Sequence, residues 1–481
     1  MINKPLKEPF DYIDPAIDTG KPKPRWVFFQ SASLPFGMVQ LSPDTDLEGT
    51  WGVGYRYHSK RIRCFSHVHQ WQLSAIAVLP GSGDIPFEKG YRFSHRDEIV
   101  KPGYHKVNLT DCKIKAELSA TLRTGIHKYT FQEKKNKFIL LDLIRRLGPS
   151  DIASHEVILL DNQSLHGYVE NAPTIRRPKP CRIFFHLECN EPFVLKEKEG
   201  LYFLTFTNEY INEVTLKIAI SFVSKENAKL NMESEVNHFD FEKVKEEAKN
   251  AWIKYISVIT VKSSHEKQLI KFYTDLWRTA MGGHIISDVN HEYMDMTGID
   301  PVIRKADSYD FISNADIFWG AHWSLSLVYD LLYPEIKSDY CKSLIQFSEN
   351  GGYIPRGPSG GNYTHVMIGA HSGSFIVSAF YKGIRNLDMD AAYKGIRANA
   401  FTGGLMSKSG YEHDSCLDGG IDEYIEKGYI PARKPKSQGF HCDSASQTVE
   451  YAFDDWVLSN LAKSMNNKDD YEYFLKRSQN Y

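Results

Sequence analysis

Residues 214–280, VTLKIAISFVSKENAKLNMESEVNHFDFEKVKEEAKNAWIKYISVITVKSSHEKQLIKFYTDLWRTA, hold the change that decides the fold. Val214 to Ser224 is a short β-rich run. From Lys243 to Ile259 the apolar residues fall at helical spacing, with Ala251, Trp252, Tyr255, Ile256 and Ile259 on one side. Ser263-x-x-Glu266 has the form of a capping box. It opens a second helix in which Leu269, Phe272, Tyr273, Leu276, Trp277 and Ala280 recur at i, i+3, i+4 and i+7. Strands before this stretch and helices after it predict a β domain followed by an α domain, with the boundary near residues 240–265.

Working outward, residues 25–235 read as strands. Met38 to Leu41, Ile62 to His67, Ile126 to Gln132, Lys137 to Leu143, Ile183 to Cys189 and Leu201 to Thr207 are short runs bounded by turn residues or charge. Pro35, Gly37, Pro43 and the Gly49 to Gly54 cluster forbid a long helix in residues 33–80. That stretch combines turns, Trp51, a GYRY segment and His67-x-His69, as a loop-borne ligand module would. Many strands with few helical windows predict an antiparallel sandwich. On the other side, helical windows recur at about 320–333, 338–349, 371–384, 388–399 and 446–463, separated by loops rich in Gly and Pro. Paired helices with long polar loops predict an α/α barrel or toroid. The expected domains are a sandwich over 1–240, a linker helix region over 241–265, and the helical domain over 266–481.

The 481 residues carry 42% hydrophobic and 25% charged side chains, a globular composition. A net charge of −2 gives no general electrostatic reason for nucleic acid or an anionic membrane as partner. Seven cysteines lack any C-x-x-C spacing, which argues against a zinc ribbon and a disulfide framework. No stretch is long and apolar enough to span a membrane. MINKPLKEPFDYIDP lacks the apolar core of a signal peptide, so the N-terminus as it stands reads as cytoplasmic. Aromatic residues make up 13% of the chain, a surplus that suits stacking on sugar faces as well as filling a core.

Several side chains are candidates for chemistry. Arg356 and Asn362 lie in the glycine-rich run Gly351 to Tyr363, which lacks the Gly-Lys-Ser/Thr ending of a phosphate loop. They either reach sugar hydroxyls, or the run is a helix connection that needs positive φ. His67 and His69 share one face of a predicted strand; substrate hydrogen bonding is a better reading than half a metal site. Asp316-Ile-Phe-Trp319-Gly-Ala-His322-Trp323 packs an acid, a histidine and two indoles at a helix start, where Asp316 could also be an N-cap. Glu450 and Asp454 stand at i and i+4 of one helix, a like-charge pair that costs roughly 0.2–0.5 kcal/mol. No basic residue of that helix offsets them before Lys463. Such a pair suits general acid–base work, or one member bonds a neighbouring element's backbone.

Taken together, these motifs resemble glycoside hydrolase family 92, the calcium-dependent exo-acting α-mannosidases. PFGMVQLSPDT at 35–45, Trp51 to Tyr57 and FSHVH at 65–69 look like its N-terminal signature. Ile220-Ser-Phe-Val-Ser-x-Glu226-x-Ala228 looks like its sandwich-closing strand. Phe272 to Arg278, Phe380 to Ile384 and Gln447 to Trp456 resemble later helices, and the matches run in family order. The resemblance implies a β-sandwich followed by an (α/α)6 barrel. It also implies inverting hydrolysis of terminal α-mannosides of mannans or N-glycans, with an acid and a base about 6.5–9.5 Å apart, and calcium to help distort the sugar. Family members are typically periplasmic or extracellular.

Two departures stand out. A Trp-Asp-Thr triplet usual in the family is absent near Ser324 to Tyr333; Trp319-Gly-Ala and Trp323-Ser-Leu stand nearby instead. The chain also stops at Arg477 to Tyr481 inside a family motif. The acid, the base and most calcium ligands are therefore expected in segments that normally follow, with about half of the barrel present and hydrolysis by this chain negligible. Trp51, His67 and His69 are then expected as sandwich-side sugar contacts, Asp316, Trp319 and Arg356 as helical ones. Two alternatives stay open: a non-catalytic glycan-binding protein, and another hydrolase of this architecture that uses Glu450 and Asp454.

Overall fold

The computed structural model describes residues 7–20, 31–45, 54–133, 136–313, 320–408, 419–432 and 444–481. Trp51, Asp316 and Trp319 lie outside these described residues. The alternating run around Ile126 becomes the strand Thr124–Phe131, hydrogen-bonded on one side to Glu213–Ser221 and on the other to Ile114–Ala120. It belongs to an eight-stranded sheet. In spatial order the strands are Ile152–Leu159, Ser164–Asn171, Cys181–Cys189, Glu213–Ser221, Thr124–Phe131, Ile114–Ala120, Tyr104–Leu109 and Ile99–Lys101. A seven-stranded sheet follows the order Ala32–Ser33, Gln40–Asp44, Cys64–Gln70, Leu73–Gly81, Lys137–Asp142, Leu201–Phe206 and Val194–Lys198. Its neighbouring strands pair antiparallel. Strands buried on both faces read as continuous apolar runs, which is why Leu73–Gly81 shows no alternation.

The chain divides into two compact units, Met1–Ala172 with Pro180–Glu292, and Pro173–Lys179 with Tyr293–Tyr481. The first holds both sheets and three helices: α1 (Lys225–Glu235), α2 (Phe241–Ile256) and α3 (Glu266–Arg278). The change from strands to helices comes between Ser221 and Lys225, earlier than the expected boundary near residue 240: residues 225–235, read as part of the strand region, form α1, and α1 and α2 pack with the sheets. Ser224 and Asp240 cap α1 and α2, each accepting a backbone N–H three residues on. At α3 the expected capping box does not form: His265 is the N-cap, and Ser263 Oγ instead accepts from His265 N and donates to Gln268. α2 is held to the sheet by Trp252, whose Nε1 donates to Ser33 O at 2.7 Å.

The two sheets meet through Phe65 and His67 from one and His127 and Tyr129 from the other. His67 Nδ1 lies 2.9 Å from Ile76 O, which can only accept. A proton on Nδ1 leaves Nε2 as acceptor for His127 Nε2–H at 3.0 Å. His127 Nδ1 in turn accepts from Tyr129 O–H at 2.8 Å. The donors run one way through two neutral rings, and burial accordingly pulls His67 down to about 4 and His127 well below its ordinary range. Gly125 makes room for this pair: a Cβ there would meet His67 Cδ2 at 2.8 Å and Leu41 Cδ2 at 3.3 Å.

The second unit holds α4 (Leu325–Leu332), α5 (Pro334–Gly351), α6 (Ser372–Tyr381), α7 (Met389–Asn399), α8 (Ile421–Lys427), α9 (Ser444–Ser464) and α10 (Lys468–Arg477). α5 stops at Gly352, whose φ of 97° ends the helix in the left-handed region. Buried Lys337 ties three helices together. Its Nζ pairs with Asp330 at 3.0 Å, donates to Ser326 Oγ at 2.6 Å, and lies over the Phe375 ring. At the far end Arg477 forms a two-pronged pair with Asp455 and donates to Ala400 O, so α10 is fixed to α9.

Two outcomes are expected. Gly125→Ala forces the His67 ring aside and lowers stability by about 1–3 kcal/mol in denaturant titration. Between pH 6.5 and about 4 the unfolded chain takes up protons that folded His67 and His127 refuse. Their contribution is therefore complete above pH 6.5 and declines as the pH falls through that window. The paired change His67→Gln with His127→Gln should flatten that acid slope.

Candidate functional site

Arg356 organises the loop that leads to the site. It is almost wholly buried, with Nε donating to Gly369 O at 2.7 Å. Nη1 faces His365 O at 3.1 Å, Met367 O at 2.8 Å and Lys408 O at 3.3 Å. A turn through Met367 (φ 71°) and Gly369 (φ 75°) points its carbonyls inward, and a guanidinium is the side chain with enough donors to satisfy them. The expected sugar contact from Arg356 is corrected accordingly: the residue is an internal clamp. Asn362 is likewise buried and donates to Gly360 O. The glycine-rich run is a helix connection, with Gly352, Gly360 and Gly361 all at positive φ.

The clamped loop delivers Ala370 and His371 to the start of α6. There Ala370 N donates to Asp454 Oδ2 at 2.6 Å, and His371 Nδ1 meets Asp454 Oδ1 at 2.9 Å. The other ring nitrogen, Nε2, is in ion contact with Glu450 Oε2 without the alignment of a directed hydrogen bond. One imidazole thus lies between both carboxylates of the i, i+4 pair. Burial works against charge on His371, but Asp454 and then Glu450 outweigh it and lift the ring to about 9, so it is an imidazolium at neutral pH. The cation missing from α9 comes from α6.

This geometry corrects the reading of Glu450 and Asp454 as an acid–base pair. Asp454 is buried with both oxygens engaged, and the His371 ring fills the space where a sugar and a water would have to stand. Asp454 holds the His371 ring and the Ala370 amide. Glu450, with 24% of its side chain exposed, is the member that faces outward. Beside Asp454 lies a narrow cavity lined by Ser374, Ile396, Met406, Val457 and Leu458, too small to admit a saccharide.

Rings surround the outer side. His322 lies 4.1 Å from His371 and 5.3 Å from Phe453, centroid to centroid, and burial with His371 beside it pulls its pKa down to about 4. Trp323 flanks His322 at 5.4 Å, and Trp456 stacks on Phe453 at 6.3 Å. His371 escaped notice in the sequence because it sits alone before a helix, 79 positions from Glu450. The unpaired carboxylates of α9 were the signal that a cation had to come from elsewhere.

In the sheet unit, His67 and His69 are interior, which overturns their expected role as sugar contacts. Both nitrogens of His67 are held as described above. His69 faces Gln40 O at 2.6 Å and Asp44 at 2.7 Å, two acceptors. Burial lowers its pKa, the Asp44 carboxylate raises it, and the net shift is upward. Among the described residues no three His, Cys, Asp or Glu side chains group to hold a metal.

The glycosyl hydrolase family 92 N-terminal domain matches residues 12–233, and the family 92 catalytic domain matches residues 227–481. The chain belongs to glycosyl hydrolase family 92. It is 22% identical, over 94% of its length, to an uncharacterized secreted glycosidase of Arthroderma benhamiae, and covers 60% of that protein. The fold is shared with a family 92 α-mannosidase from Bacteroides thetaiotaomicron solved with mannoimidazole, at a TM-score of 0.86 and 24% identity. An inverting family 92 mannosidase from the same organism follows at a TM-score of 0.81 and 22% identity. Each alignment covers 99% of this chain, but only 64% and 65% of those chains.

Replacing His371 by Ala leaves a buried Asp454 unpaired beside Glu450, and should cost about 3–5 kcal/mol in denaturant titration. The contribution of His371 is fully present below pH 6.5 and is lost as the pH rises through about 9. Arg356→Lys should not rescue the loop, because one ammonium cannot reach the carbonyls the guanidinium spans; circular dichroism melts of Arg356→Lys and Arg356→Ala should therefore drop together.

Proposed function

We propose that this glycosidase chain serves the hydrolysis of terminal α-mannosides of mannans or N-glycans with inversion at the anomeric carbon. The membership of both domains in family 92 carries this reading, supported by the mannosidase names of its structural neighbours. An inverting reaction needs an acid and a base on opposite faces of the sugar, about 6.5–9.5 Å apart. Glu450 and Asp454 do not fill those roles, since His371 stands between them. The 481-residue chain is therefore proposed to bind mannosides and to hydrolyse them negligibly by itself. An extracellular or periplasmic setting is proposed, in keeping with the secreted relative. A glycan-binding protein without turnover remains the second reading, favoured by the same occupation of the Glu450–Asp454 gap.

The test combines two measurements on the purified chain. Calorimetric titration with methyl α-mannoside should give millimolar or tighter binding, and mannose release from α-mannobiose should stay at background. Release at an ordinary enzyme rate of about 1–1,000 per second would contradict the account of Glu450 and Asp454. Binding with no release even when the segment of a longer family 92 relative that this chain does not cover is supplied would favour the second reading.

A further inference from the structure

We draw no further inference here: the strongest candidate, the edge strand Ile152–Leu159 of the eight-stranded sheet with its exposed Ile158 and Leu159, pairs on one side only among the described residues, and nothing in the structure shows what covers its other side.

Discussion

A helix that places two carboxylates on one face and buries one of them needs a cation, and α9 has none of its own near them. His371 supplies it from α6, and much of the helical unit is arranged to put that ring there. Arg356 gathers the carbonyls of residues 365–369 so that the backbone can turn sharply before His371. Asp454 then holds both the ring and the amide of Ala370. The next residue, Asp455, faces the opposite way and fixes α10 through Arg477. Lys337 performs a similar service for α4, α5 and α6. The unit is stabilised by apolar packing but aligned by four buried cations, each matched to oxygen acceptors. Removing one partner of such a match is costly because the other is left charged in a medium of low dielectric.

The sheet unit uses the same side chain in the opposite charge state. His67 and His127 have one acceptor and one donor each around their rings, and stay neutral. His69 faces two acceptors, and the Asp44 carboxylate shifts its pKa upward despite burial. Burial is complete in all three cases. What differs is the partner set, which decides whether the penalty for charge is met. Acid should therefore loosen the sheet unit through His67 and His127, and alkali the helical unit through His371.

The sequence showed that strands give way to helices, because periods of 2 and 3.6 leave different apolar patterns, but it put the change near residue 240 where the structure has it between Ser221 and Lys225. α2 was expected at Lys243 to Ile259 and runs Phe241–Ile256; α9 was expected at 446–463 and runs Ser444–Ser464. α1, α8 and α10 were missed: α1 fell inside the stretch read as strands, α8 is too short to show periodicity, and α10 is too polar, with only Phe474 and Arg477 buried. The site was harder to read, since its partners are distant in sequence. An arginine in a glycine-rich loop looks the same whether its acceptors are sugar hydroxyls or turned-in carbonyls. His67-x-His69 looks the same whether it faces a ligand or the opposite sheet. Only the Glu450–Asp454 pair carried an internal contradiction, and that contradiction pointed correctly to an outside partner.

His67, His69, Arg356 and Asp454, which looked reactive, are buried with their polar atoms engaged inside the protein. The arrangement of Glu450 and Asp454 on one helix face depends on His371 being charged. Nitrogen-15 spectra of the histidine rings test this directly, with the His371 signal assigned by its loss in a His371→Gln variant. The account predicts a doubly protonated ring at pH 7 that titrates near pH 9. A neutral His371 at pH 7, titrating near the ordinary 6.5, would contradict it.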